Sequence, residues 1–185
     1  MIKKLIMIAL LSASLLASAT PKNDRWGVEI NPTIPLAWGA IYSMGISYFD
    51  HDAAVEYAVP IFTSLKAMGD GDKWQSIHMD FQYKRYHEGV VGDGFYYGGF
   101  VRWSHLKGYL KETTITATKN KIGIGASIGY RTFGLFGNPS LYWGAGVNVG
   151  AYVSGDNDIF ENDYFLFGDQ PYIVDVEFFK FGVSF

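Results

Sequence analysis

The chain has 185 residues, of which 15 are basic and 18 acidic, for a net charge of −3, and it contains no cysteine. Without a basic excess, nucleic-acid binding through a positive surface is excluded. Without cysteine, disulfides and thiolate metal sites are excluded, and we expect neither a metal nor another cofactor.

The first residues have the three parts of an export signal. Lys3 and Lys4 are basic, residues 5–16 are apolar, and residues 17–19 are the small sequence Ala-Ser-Ala. We therefore expect a signal peptide over residues 1–19, a short segment over 20–25 and one domain over 26–185. No later apolar run approaches the roughly 20 residues that a transmembrane helix needs, so the sequence does not predict a helical membrane protein.

Eight later segments alternate apolar with small or polar residues at a period of two, which predicts β-strands. The predicted strands are residues 26–31, 39–49, 53–62, 74–86, 94–106, 120–132, 140–153 and 172–185. Their connections at one end are residues 32–37, 63–73, 107–118 and 154–170, of which the last three are longer than any connection at the other end (50–52, 87–93 and 134–139). This order predicts an up-and-down arrangement in which both termini lie at the end with the short turns.

The polar faces of the predicted strands indicate whether they point toward solvent or toward a narrow interior. In the fourth segment, Ile77, Met79, Phe81 and Tyr83 alternate with Ser76, His78, Asp80, Gln82 and Lys84. Across the chain the polar faces carry many glycines and serines with isolated charges, which suits a cramped interior. We therefore predict an eight-stranded antiparallel transmembrane β-barrel with its apolar face toward lipid. The alternative is a soluble β-sandwich or a lipocalin-like barrel, whose apolar face would point inward.

The last segment resembles the closing strand of bacterial outer-membrane barrels. Phe181, Val183 and Phe185 lie on one face, and Lys180, Gly182 and Ser184 lie on the other. The whole chain after the signal peptide resembles the small eight-stranded barrels typified by the OmpA transmembrane domain, OmpX and OmpW. In that family the terminal aromatic strand is read by the barrel-assembly machinery, so the resemblance assigns Phe181, Val183 and Phe185 to an assembly signal. It also implies an outer-membrane location, periplasmic termini and contact with outer-membrane lipid and lipopolysaccharide. We expect a monomer or a weak oligomer.

Charged residues of both signs fall on the predicted interior faces. The main set is Glu29, Glu56, His78, Asp80, Lys84, Arg102 and Arg131. An isolated charge in a narrow interior is costly, so we expect Lys84, Arg102 and Arg131 to lie beside Glu29, Glu56 or Asp80.

The eighth segment contains a conflict of parity. Counting back from Phe185, odd-numbered residues are apolar as far as Phe179, whereas Val174, Val176 and Phe178 are even-numbered. An unbroken register would turn Asp175 and Glu177 toward lipid. We therefore predict a β-bulge near Phe178 and Phe179 that keeps both apolar sets outside. The alternative is a regular strand that rises above the membrane before Glu177.

Two patterns suggest catalysis. Ser76, His78 and Asp80 share a strand face, but side chains two residues apart stand about 6–7 Å from each other, beyond hydrogen-bond reach. The stretch Arg102–His105 resembles the segment that carries the catalytic histidine of PagL-type lipid A deacylases. In that family a serine follows the histidine by two positions, whereas this chain has Lys107 there. His105 is thus a candidate catalytic residue without its nucleophile.

These patterns together predict a non-enzymatic outer-membrane surface protein with a plugged polar lumen and external loops that contact partners or the environment. The alternatives are a narrow pore for small solutes and a lipid A-modifying acyl hydrolase, because the eight-stranded scaffold hosts all of these functions.

Overall fold

The computed structural model of the protein describes residues 24–31, 40–67, 73–87, 93–110, 115–155 and 171–185. The strands are β1 (Trp26–Ile30), β2 (Ala40–Asp50), β3 (Val55–Ala67), β4 (Lys73–Tyr86), β5 (Gly94–Leu110), β6 (Ile115–Phe133), β7 (Leu141–Ser154) and β8 (Tyr172–Ser184). No helix within these ranges is long and apolar enough to cross a membrane. The expected signal peptide over 1–19, the 32–37 loop and most of the 154–170 loop lie outside the described residues.

The strands close a barrel in chain order, and each is antiparallel to its neighbours. This confirms the predicted all-β, eight-stranded up-and-down fold. β1 and β8 close the ring through four residue pairs, from Gly27–Ser184 to Ile30–Phe181. The end of the barrel that carries Asp24 and Phe185 is called the terminal end below, and the opposite end, where β5 stops at Leu110, is called the loop end.

Exterior and interior faces follow the predicted alternation. Val28 and Ile30 are exposed while Glu29 between them is buried, and Phe81 and Tyr83 are exposed while Gln82 is buried. Val55 departs from the pattern because it is buried beside the β2–β3 turn. Apolar side chains therefore cover the outside of the sheet, while the inside holds the buried charged side chains together with some aromatic ones, unlike a lipocalin-like barrel.

Three strands are longer than the alternation predicted. β3 continues to Ala67, and β5 and β6 pair as far as Leu110–Ile115. The prediction of a loop over residues 107–118 is therefore wrong: Lys107 pairs with Thr118, and Gly108 with Ala117. These segments lose the alternation of apolar and polar residues. A strand can continue through its backbone hydrogen bonds even where neither of its faces is apolar.

The predicted irregularity in β8 is confirmed. Gly144 of β7 pairs with Lys180 and Gly146 pairs with Glu177, so Phe178 and Phe179 together oppose Ala145. Two residues of one strand opposite a single residue of its neighbour define a β-bulge. Beyond the bulge, odd-numbered and even-numbered side chains exchange the face on which they lie. As a result Val174, Val176 and Phe179 are exposed, whereas Glu177 and Lys180 are buried. The side chain of Phe178 lies outside the described residues.

Aromatic side chains fill the interior at the terminal end. Phe49, Tyr86, Tyr96 and Tyr142 form a buried cluster against which Phe133 packs. Gly182 lies directly opposite Tyr142, and a Cβ at that position would collide with the Tyr142 ring. A glycine is required there because the ring occupies the space that a side chain would need.

Asp24 ties several terminal-end segments together. Its carboxylate accepts hydrogen bonds from Ser184 Oγ (2.6 Å) and Ser140 Oγ (3.2 Å). Its backbone carbonyl accepts one from His51 Nε2 (2.6 Å). These contacts connect the start of β1, the end of β8 and two turns, and they are called the Asp24 contacts below.

Candidate functional site in the barrel interior

Six interior side chains form a chain of alternating charge. In order, they are Lys84, Glu56, Arg131, Glu29, Lys180 and Glu177, joined by N–O distances of 2.9, 2.9, 2.6, 3.4 and 2.5 Å. They project from β1, β3, β4, β6 and β8. This ion-pair chain balances three cations against three carboxylates, so no member is an isolated buried charge.

Glu56 has the most partners in the ion-pair chain. It is fully buried, and its carboxylate accepts hydrogen bonds from Lys84 Nζ (2.9 Å), Tyr86 OH (2.6 Å) and Ser47 Oγ (2.8 Å). Arg131 Nη1 adds an ion pair at 2.9 Å. These donors use most of the lone pairs of the carboxylate, which offsets the desolvation of its charge.

Arg131 crosses the interior. Its Nη2 donates to Glu29 Oε2 (2.6 Å), while Nη1 lies 2.9 Å from Glu56 Oε2 without hydrogen-bond geometry. The guanidinium carbon is 4.5 Å from the centre of the Tyr142 ring. Arg131 belongs to β6, and its partners to β1 and β3, so one side chain links strands that are not neighbours in the sheet.

A second charged group lies nearer the loop end and is called the Arg102 cluster. Arg102 donates to both carboxylate oxygens of Asp80, with two distances of 2.7 Å, and it also binds Asp175 of β8. Its guanidinium lies 4.6 Å from the centre of the Phe62 ring. A two-point contact of this kind fixes the geometry of the pair as well as its charge.

His78 does not join Ser76 and Asp80 in a triad. Its Nδ1 is hydrogen-bonded to Ser104 Oγ (2.7 Å), because the β4–β5 register sets His78 directly opposite Ser104. Ser104 Oγ is in turn 2.9 Å from Tyr152 OH. Asp80 is committed to Arg102 instead.

Ser104 and His78 have the spacing of a nucleophile and its base. Ser104 is nevertheless fully buried, and its hydroxyl is shared between His78 and Tyr152. The ring of Phe62 stacks on the imidazole at 4.7 Å between centroids. The arrangement joins β4, β5 and β7 through side chains.

His105 lies on the exterior. Its Nδ1 donates to Asn120 Oδ1 (3.0 Å) on β6, and its ring stacks near Trp103 with 6.0 Å between centroids. Lys107, at the position where the deacylase family has serine, is exposed and pairs with Thr118. His105 therefore has an amide partner rather than a hydroxyl nucleophile in its described contacts.

The residues of the expected assembly signal line the closing seam. Phe181 pairs with Ile30 and Val183 pairs with Val28 across β1 and β8. Phe185 exchanges two backbone hydrogen bonds with Trp26, at 3.1 and 2.9 Å. Whether these residues act as a recognition signal stays a prediction.

Several interior residues were not singled out from the sequence. Tyr152 and Phe62 break the small-or-polar rule of the interior face, so composition alone did not identify them. Lys121 is fully buried with its amine 4.5 Å from the centre of the Tyr152 ring. Its parity, shared with Gly123, was the signal that would have assigned it to the interior. Among the described residues, no group of three or more histidines and carboxylates is arranged to hold a metal ion.

Comparisons with known proteins found a solved structure of similar fold. No family model and no curated protein matches the chain. The crystal structure of Neisserial surface protein A (NspA) is similar to it at 13% sequence identity, with 86% of this chain and 93% of that chain covered and a TM-score of 0.48.

Proposed function

We propose that this protein is a non-enzymatic integral barrel of a bacterial outer membrane, with a plugged polar lumen and external loops that contact partners or the environment. The apolar exterior supports the membrane assignment. Exposed apolar side chains occur on every strand, among them Val28, Met44, Tyr57, Phe81, Tyr97, Ile124, Val149 and Val176. A soluble monomer rarely exposes so continuous an apolar surface, whereas lipid would cover it.

The height of the apolar exterior fits a bilayer. On β5 the outward residues run from Phe95 to Trp103, which rises about 20 Å if a tilted strand gains roughly 2.5 Å of height per residue. The apolar band of an outer-membrane barrel is about 25 Å tall. His105 and Lys107 follow at the level where lipid headgroups begin, which is consistent with contact to lipopolysaccharide.

The proposed outer-membrane location and orientation rest on the two ends of the sequence. The expected export signal over residues 1–19 directs the chain out of the cytoplasm, and the aromatic closing strand resembles an assembly signal. With both termini periplasmic, the terminal end faces the periplasm and the loop end faces the exterior.

The observation that carries the plugged lumen is the pairing of charges between strands that are not neighbours. Arg131 of β6 binds Glu29 of β1 and Glu56 of β3, and Arg102 of β5 binds Asp175 of β8. An eight-stranded barrel is only wide enough for its side chains, so ion pairs that span its interior support a lumen closed to water.

Planar-bilayer conductance tests the plug. We expect the wild-type protein to give no defined conductance steps. A variant with Asp80, Arg102 and Asp175 all replaced by serine should also give no steps, because the ion-pair chain and the aromatic cluster at the terminal end remain in place. Steps from the wild-type protein would overturn the plug and favour the narrow pore.

Mass spectrometry of lipid A tests the absence of enzyme activity. Cells with and without the protein should carry lipid A of identical acyl composition, because His105 has Lys107 where a nucleophile would be needed. A change in acyl number that disappears in a His105→Ala variant would contradict the proposal.

A further inference from the structure

The turn between β6 and β7 holds one phenylalanine away from the rest of the protein. Phe136 is 89% exposed, and its φ angle of 56° is in the left-handed region that bulky residues rarely adopt. Gly134 and Gly137 on either side also have positive φ angles, of 82° and 78°. An exposed aromatic ring in this backbone conformation needs an explanation beyond core packing.

The turn is fixed by its own hydrogen bonds. Gly137 N–H donates to the Gly134 carbonyl (3.0 Å), and Asn138 N–H donates to the Leu135 carbonyl (3.1 Å). The Asn138 side chain accepts from Ser140 N–H (3.0 Å). The ring of Phe136 is therefore presented by a defined turn.

The composition of this turn differs from that of the other two turns at the terminal end. Residues 132–140 contain no acidic or basic side chain. The β2–β3 turn contains Asp50 and Asp52, and the β4–β5 connection contains Glu88 and Asp93. Acidic turns are repelled by an anionic phospholipid surface, and an uncharged turn with an exposed ring is not.

The turn is continuous with the apolar exterior. Leu141 begins β7 immediately after the turn, and the exterior rings of Tyr130 and Trp143 lie 6.2 Å apart on the adjoining strands. Tyr130 also contacts Phe95 at 5.1 Å. The aromatic girdle of the proposed lipid-facing surface thus reaches the base of the turn.

We propose that Phe136 inserts into the headgroup boundary of the periplasmic leaflet, so that the β6–β7 turn is an interfacial anchor that fixes the depth of the barrel. This proposal rests on the proposed membrane location. The occupant of the site is phospholipid, because the turn combines an apolar ring with a lack of charge and adjoins the lipid-facing surface.

Spin labels test the anchor directly because the chain has no native cysteine. Single variants Phe136→Cys, Asp52→Cys and Phe81→Cys would each carry a nitroxide in vesicles of phosphatidylethanolamine and phosphatidylglycerol. We expect the ratio of oxygen to water-soluble nickel accessibility at position 136 to exceed that at position 52 severalfold and to lie below that at position 81. An equal ratio at positions 136 and 52 would overturn the anchor.

The same set separates failure of the anchor from failure of the membrane assignment. If position 81 is also accessible to nickel, the barrel is not embedded and the proposed function fails with it. A second measurement avoids the label: once the signal of the five native tryptophans, measured on the unsubstituted protein, is subtracted, Phe136→Trp should be quenched by brominated lipid more strongly than Asp52→Trp. Equal quenching of the two variants would contradict the anchor, as would a label at position 136 that is shielded in native envelopes but not in pure lipid, since that indicates a protein partner.

Discussion

Tyr86 and Tyr142 lie in the same buried aromatic cluster, but their hydroxyls have different surroundings. Tyr86 donates to Glu56 at 2.6 Å, whereas the Tyr142 hydroxyl has no hydrogen-bond partner among the described residues. We expect Tyr86→Phe to lower the free energy of unfolding by about 1.5–3 kcal/mol, the range for a hydrogen bond to a charged group, and Tyr142→Phe to change it by less than about 0.5 kcal/mol. Urea unfolding in detergent micelles measures both, and equal losses would contradict the description of the cluster.

Arg102 supports a second prediction. Replacing it with methionine leaves Asp80 buried without its cation, so Arg102→Met should lower the free energy of unfolding by about 3–5 kcal/mol. Arg85→Met is the matched control, because Arg85 is exposed on the same sheet. The double variant Asp80→Asn with Arg102→Met should recover part of the loss. Equal stability of the two single variants would show that the buried pair contributes nothing.

Side-chain partners were predictable only in part. The alternation assigned Arg102 and Asp80 to the interior, and β4 and β5 are neighbours in any up-and-down barrel, so their pairing followed. The partner of His78 did not, because it depends on a register that sets His78 against Ser104. If β5 were shifted by two residues along β4, His78 would lie opposite a different residue. The alternation of apolar and polar residues is the same in both registers, so it does not predict the shift.

The bulge in β8 can be tested as an element. Deleting Phe178 removes the extra residue and leaves a regular strand in which Phe179 and Val176 still face outward and Glu177 and Lys180 inward. We expect this variant to fold into detergent micelles as a barrel with near-normal stability. Deleting Val176 instead turns Asp175 or Glu177 toward the outside, which should cost about 1–3 kcal/mol. Heat-modifiable migration on a gel and urea unfolding compare the two deletions.

The opposite result for the two deletions would contradict this expectation. If loss of Phe178 prevents folding while loss of Val176 is tolerated, the bulge has a role other than restoring parity.

Strand type was easier to predict than strand length. All eight segments were recognised because exterior and interior residues alternate over most of each strand, apart from local irregularities such as the bulge in β8. The ends of β3, β5 and β6 were missed because polar residues such as Lys107 and Thr118 pair through their backbones beyond the alternating part of the strand. A hydrophobic pattern reports the surroundings of a strand's two faces, and it gives no signal where both faces carry polar residues.

On the scale of the whole molecule, the seam between β1 and β8 has the fewest residue pairs in the ring within the described ranges. It has four residue pairs, whereas β5 and β6 share seventeen. The Asp24 contacts reinforce it at the terminal end. We expect Asp24→Ala to speed unfolding in micelles by about tenfold or more, given about 1.5–3 kcal/mol for hydrogen bonds to a charged group. Asp52→Ala, at an exposed turn position, should leave the rate unchanged, and equal rates for both variants would contradict the assignment of the seam.

The ion pairs that span the interior also have a kinetic consequence. Lys84 with Glu56, and Arg102 with Asp80, can form as soon as neighbouring strands meet. Arg131 of β6 and Lys180 of β8 reach Glu29 of β1 only when the first strand has come together with the last ones. An open sheet therefore leaves the Glu29 carboxylate without either of its cations. Closure of the ring and neutralisation of this interior carboxylate are thus coupled, which favours the finished barrel over its open precursors.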